Sequence, residues 1–220
     1  MTPVVRQQRL PAALRRDQLL EAALAQFGAK GFHGTSMDDI AEEAGVTKPV
    51  LYQHFPSKRT LYVELLETVG AEMLRTIAAR AETADTPRRR VLAGFEAYFQ
   101  FVGERTSSFH LLFNSAARQS DDFSEVIRRL EDSVAEVIGT FIEASIDKDH
   151  RELLGYGIVG LAEVTARQWV HRTEEAARAA GGSGGTVLDP AEGRQLAERL
   201  STLVWAGLRS LPGQGRVQDD

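Results

Sequence analysis

The 220-residue chain contains no cysteine, which excludes disulfides and thiolate metal sites. No apolar run reaches the roughly 18 residues that a membrane-spanning helix needs. The first ten residues, MTPVVRQQRL, lack the apolar core of a secretory signal. A cytoplasmic protein is therefore expected. Strand signals are almost absent. The five histidines (His33, His54, His110, His150 and His171) are scattered. Asp147 with His150 stands at metal-like helical spacing, but at a helix boundary without matching partners. The sequence has no Gly-rich phosphate loop, no nucleophile elbow and no cysteine nucleophile. No catalytic residue, metal or cofactor is expected, and the chain does not read as an enzyme.

What is present is ordinary for a soluble globular protein, at 43% hydrophobic and 26% charged residues. The net charge of −5 hides an asymmetry. Residues 1–60 hold eight Lys/Arg and six Asp/Glu, whereas the other 160 residues hold 18 and 25. A mildly basic head on an acidic body suits contact with nucleic acid through one end.

Helix signals recur from Leu14 to Leu211. Leu14, Leu19, Leu20, Ala23, Leu24 and Phe27 form one apolar stripe, and Gly28 and Gly31 offer a stop. Ser36 with Asp39 fits a helix start, and Gly45 suits a tight turn. Thr47 begins a short helix, which cannot run far because Pro56 disfavours helical geometry at Phe55. Ser57 then caps a longer helix through about Ala81. The pair 36–44 and 47–54 has helix-turn-helix spacing. Further helices are expected over 88–105, 121–146, 150–172 and 190–211, with a short piece, SSFHLLFNSAAR, between the first two. The Gly/Ser run 181–185 reads as a mobile loop. The expected fold is all-α. A flexible arm (1–12) precedes a three-helix DNA-binding domain (13–60), a helical bundle for ligand binding and dimerisation (61–211), and a disordered tail (212–220).

The stretch TKPVLYQHFPSK poses a question. Thr47 and Ser57 each open a helix, and each is followed at once by a lysine. A cation there faces the positive end of the helix dipole. Winding the third helix at about 100° per residue puts Val50, Leu51 and His54 on one side and Lys48, Pro49, Tyr52 and Gln53 on the other. One reading is a solvated helix face, where lysine and glutamine belong anyway. The other is a face that enters the major groove, about 12 Å wide. A nearby phosphate would explain both lysines and the exposed tyrosine.

The segment GFHGTSMDDIAEEAGVTKPVLYQHFPSK closely resembles the helix-turn-helix signature of the TetR family of transcriptional regulators, over about residues 13–62. The resemblance implies a homodimer that sets a recognition helix from each subunit into the major groove of a palindromic operator, most often as a repressor. Carried over by position, it implies that Thr47, Lys48, Pro49 and Gln53 approach base edges or adjoining sugars. Tyr52, His54, Lys58 and Ser36 would contact phosphates, with Thr35 assisting. Two readings remain for His54, a phosphate contact or a packed histidine. Asp38 and Asp39 depart from the family pattern and are left out of the DNA set. Arg9, Arg15 and Arg16 are either a backbone-contacting arm or ordinary N-terminal charge.

In the body, eight of the sixteen aromatic residues cluster between Phe95 and Phe141. They form either a core or a pocket for an apolar ligand, with Phe95, Phe99, Phe109, Phe113 and Phe141 as candidate wall residues. The resemblance implies an effector there, whose binding moves helix four. The run VLAGFEAYFQFV…FHLLFN is similar to family members that sense long acyl chains. The last two long helices are dimerisation candidates, because Gly157, Gly160 and Gly207 lie beside Leu161, Val164, Leu203 and Val204. Trp169 and Trp205 are candidate anchors. Two other readings stand: a helical ligand-binding protein without operator binding, which a gel-shift separates, and a helical metalloenzyme, which elemental analysis separates.

Overall fold

The computed structural model describes residues 11–113, 123–181 and 187–213. The expected arm to residue 10, the end of the short aromatic piece, most of the Gly/Ser run and the tail from 214 lie outside the described residues. Among the described residues there are nine α-helices and no strand. The chain divides into two compact units, Met1–Leu65 and Leu66–Asp220, here the head and the body.

The head holds α1 (Ala12–Gly34), α2 (Met37–Glu43), α3 (Lys48–His54) and the first turns of α4 (Lys58–Glu82). Gly28 does not stop α1. The helix breaks at Gly31, which adopts φ 70°, and adds a last turn to Gly34. Of the expected stripe, Leu19, Ala23 and Phe27 are buried, while Leu14 is exposed. α2 opens with a full capping box between Ser36 and Asp39. It closes on Gly45 at φ 62°. Val46 N–H donates to Ala41 O at 2.9 Å and Gly45 N–H to Glu42 O at 3.0 Å, the paired closure that a left-handed residue after a helix permits. α3 ends where Phe55 turns extended before Pro56. Leu51 and Phe55 point into a core with Leu19, Ile40 and Leu61, all out of solvent. Tyr62 meets Phe27 edge-on at 4.9 Å, and burial pushes its phenol up to about 12.

The body holds the rest of α4, then α5 (Pro87–Glu104), α6 (Thr106–Phe113), α7 (Ser124–Thr140), α8 (Lys148–Ala179) and α9 (Pro190–Leu208). α5 packs on α9, and α7 on α8. At the second crossing a Cβ on Gly155 would lie 2.5 Å from Ala135 O, so only glycine allows this approach. α7 is shorter than expected. It ends at Thr140, and Arg151 donates to the carbonyls of Gly139, Ile142 and Ala144 at and just past that end. Ser145 N–H donates to Pro212 O at 2.8 Å, tying the start of the expected tail to this turn. α8 is longer than expected, because TEEAARA is a strong helix former with a Glu174–Arg178 pair at 3.2 Å.

Candidate nucleic-acid interface and effector cavity

α3 presents Thr47, Lys48, Pro49, Tyr52 and Gln53 to solvent, with Tyr52 42% exposed. These side chains form one continuous outer face, as the helical winding predicts. Thr47 makes no capping hydrogen bond, so its hydroxyl is uncommitted among the described residues. His54 is half-buried, and its carbonyl accepts from Arg16 at 3.0 Å.

Both lysines find partners within the head. Lys48 Nζ lies 2.9 Å from Asp38, and this hydrogen bond raises the lysine's pKa. The pair is exposed, so it is weak and open to competition from a phosphate. Lys58 differs. Its Nζ donates to Phe32 O and Thr35 O, each at 2.8 Å, and sits 4.4 Å above the Phe32 ring. The ammonium therefore caps the carbonyl end of α1, where a cation is favoured. Its place at the start of α4 is thus accounted for without an external anion.

Two further residues of the expected phosphate set already have partners within the head. Thr35 is 2% exposed, and its hydroxyl donates inward to Gly31 O at 2.8 Å. Ser36 is exposed, yet both its amide and its hydroxyl donate to Asp39 Oδ2. These bonds pull the Asp39 carboxyl down to about 2, and a phosphate would have to displace that carboxylate.

Arg16 is no free arm. Its guanidinium forms a two-bond pair with Glu64, donates to His54 O and lies 4.3 Å over the Phe55 ring. It thereby holds the end of α3 to α4. Its position in the sequence gave no signal of this, because the partners are 38 and 48 residues away. Arg15 bonds its neighbour Gln18 at 2.7 Å, and Arg9 lies outside the described residues.

In the body, helices α4 to α9 enclose a cavity of about 140 Å³. Phe95, Phe113 and Phe141 line it, as do Tyr98, Met73, Ile77, Leu130 and Val134. Phe99 and Phe109 do not. Phe99 packs against Trp169 with ring centres 6.0 Å apart, and Phe109 backs Phe113 at 4.8 Å. Three ionisable wall residues, Arg90, Glu131 and Glu163, escaped the sequence reading. For Arg90 a signal existed: it lies four and five residues before Gly94 and Phe95, on the face of α5 that carries the apolar stripe.

The dimerisation candidates divide. A Cβ on Gly157, Gly160 or Gly207 would meet nothing within 4 Å. Val164 is 51% and Leu203 59% exposed, and Leu161 is half-buried. Val204 is instead buried and lines the cavity. Trp169 is likewise internal. It packs on Gly193, and its Nε1 donates to Glu192 at 3.0 Å.

Comparison with known proteins gives these arrangements a family. Residues 19–65 match the family model described as bacterial regulatory proteins, tetR family. A TetR-like transcriptional regulator from Rhodococcus sp. RHA1 is 30% identical in a structural match with a TM-score of 0.66, covering 91% of this chain and 99% of that one. The transcriptional activator FasR of Mycolicibacterium smegmatis is 27% identical over 206 residues, 93% of this chain and 87% of its own. The transcriptional repressor KstR2 of the same organism is 31% identical over 109 residues, about half of each chain. The exposed face on α3, the turn at Gly45 and the all-helical body with its cavity agree with these matches, and the chain belongs to the tetR family: it is a DNA-binding transcriptional regulator and not an enzyme.

Proposed function

We propose that this regulator binds a palindromic operator as a homodimer, represses by occupying it, and is controlled by a small apolar or amphipathic effector in the body. The observation that carries the reading is α4. This one helix, Lys58–Glu82, begins in the head, where Arg16 and Lys58 tie it, and continues as a wall of the cavity through Gly70, Met73, Leu74 and Ile77. A ligand that repositions the wall acts on the helix that carries the head. Coupling of this kind requires differential affinity for two arrangements.

Lys48, Pro49, Gln53 and Thr47 are the base-reading set in this proposal, and Tyr52 and His54 are phosphate contacts. The exposed stripe of Leu153, Gly157, Gly160 and Val164 on α8, with Leu203 and Gly207 on α9, is the surface for a second copy. Small residues there let two backbones approach. Two such heads read half-sites about 34–36 Å apart.

The test is selection of bound duplexes from a random pool, followed by a screen of apolar compounds for release. The expected result is a palindrome whose preferred bases change with Lys48 or Gln53 substitutions. A non-palindromic or unselective pool would overturn the operator reading. Val164→Glu should yield a monomer with greatly weakened operator binding; an unchanged dimer would move the interface elsewhere.

A further inference from the structure

The cavity wall carries opposite charges toward its two ends. Arg90 lies in the first turn of α5, and its Nη1 donates to Glu143 at 2.6 Å, just past the end of α7. With Ala81 and Phe141 it closes one end of the cavity. The wall then runs about 12 Å along α5, from Arg90 to Tyr98, and about 21 Å along α7, from Phe141 back to Ile127, at about 1.5 Å per residue. Glu131 lies about 15 Å along α7 from Phe141. α8 runs antiparallel to α7, with Gly155 against Ala135 and Arg151 against Gly139. Glu163 therefore falls near the Ile127 end, where Arg167 lies 3.5 Å from it. Between the charges the wall is apolar: Ile77, Val91, Val134, Val137 and Ile138.

Arg90 is the one cation on this wall among the described residues. Its Nη1 is engaged by Glu143, yet its Nε is buried without a hydrogen-bond partner among them. Nε and Nη2 form the guanidinium edge that matches two oxygens of one carboxylate. A hydroxyl head could accept from Nε with its one oxygen but would supply neither the second acceptor nor the counter-charge, and a cationic head would face like charge. We propose that the cavity takes a single-tailed amphiphile with a carboxylate head, its tail along the apolar length and its carboxylate on the Nε edge of Arg90. This rests on the body cavity being the effector site. It adds the head-group chemistry and the direction in which the ligand lies.

The test compares dodecanoic acid, dodecanol and dodecylamine on the full chain, by thermal shift and by direct titration. The acid should bind about ten-fold more tightly than the alcohol, the scale of one charge-assisted hydrogen bond. Arg90→Gln should remove that preference and leave alcohol binding within about two-fold, whereas Arg90→Lys, which keeps the charge but not the two-donor edge, should retain part of it. Gly94→Leu, which fills the cavity beside Ile77, should abolish binding of both. Equal affinity for acid and alcohol, a preference that survives Arg90→Gln, or tighter binding of the amine would each overturn the proposal. In those three cases the cavity stands as the effector site and only its head-group assignment fails. If none of the three compounds binds, or Gly94→Leu leaves binding intact, the effector site itself is wrong.

Discussion

In the head, Leu19, Ile40, Leu51, Phe55 and Leu61 are completely removed from solvent on helices as short as seven residues. In the body, helices of up to 32 residues line a mostly apolar cavity of about 140 Å³. The head therefore has little freedom except as a unit, whereas the body leaves room for a ligand between its helices. Rigid reading and adjustable sensing call for these opposite packings.

The largest test of this contrast removes the head's central ring. Phe55→Ala should cost about 3–5 kcal/mol within the head and abolish operator binding. Both tryptophans, Trp169 and Trp205, lie in the body, so their fluorescence follows that unit while circular dichroism follows both. The helix signal should fall before the tryptophan signal moves. Coincident shifts in both signals would mean one cooperative block.

The converse test loads the body. Gly155→Ala drives a methyl into Ala135 O and should cost about 1–3 kcal/mol, seen as a lowered tryptophan transition. Gly157→Ala, two residues on, meets open space. It should be neutral or stabilising by about 0.5–1 kcal/mol within a protomer, while raising the dimer dissociation constant. If Gly157→Ala leaves dimerisation untouched, the open stripe on α8 is not the interface.

The same contrast governs how much was legible in the sequence. The head's fold rests on local rules: a capping box three residues apart, a left-handed glycine at 45 and a proline stop at 56. Each can be read within a few positions, and so could the outer face of α3. Its long-range ties could not. Lys58 looked misplaced at a helix start because its acceptors, on Phe32 and Thr35, are 26 and 23 residues back in the sequence. In the body, aromatic clustering located the cavity's neighbourhood but not which rings face it. Phe95 and Phe99 both belong to the apolar side of α5, and only packing against Trp169 sends Phe99 to the core. Val204 and Leu203 are adjacent, and periodicity alone did not decide which faces inward.

Smaller effects separate holding the head together from touching DNA. Lys58→Ala should lower the head's stability by about 1–2 kcal/mol through lost charge-assisted bonds to α1 and leave the salt slope of operator binding unchanged. A slope reduced by about one, with an unaltered melt, would return Lys58 to the phosphate set. Arg16→Ala should loosen α3 from α4, weakening operator binding on all sequences without flattening the salt dependence. Arg16→Lys should rescue little, because the Glu64 pair uses two donors of a planar fork.

The smallest expected effect is one of pH and lies at the start of α2. Asp39 accepts from Ser36 and Lys30, which hold its carboxyl near 2 instead of the ordinary 3.8. A carboxylate whose folded value is lowered contributes fully above the unfolded value and loses that contribution as pH falls through the folded one. The capping box should thus remain intact at pH 4 and disappear between roughly 3.8 and 2. An NMR titration that follows the Asp39 carboxyl together with the Ser36 amide checks this directly. Because the group is exposed, the change should be local: the Ser36 amide should shift in that window while the indole signals of Trp169 and Trp205 stay fixed. Movement of the indoles in the same window would show that the start of α2 is felt in the body, and the two units would then have to be treated as coupled even without effector or DNA.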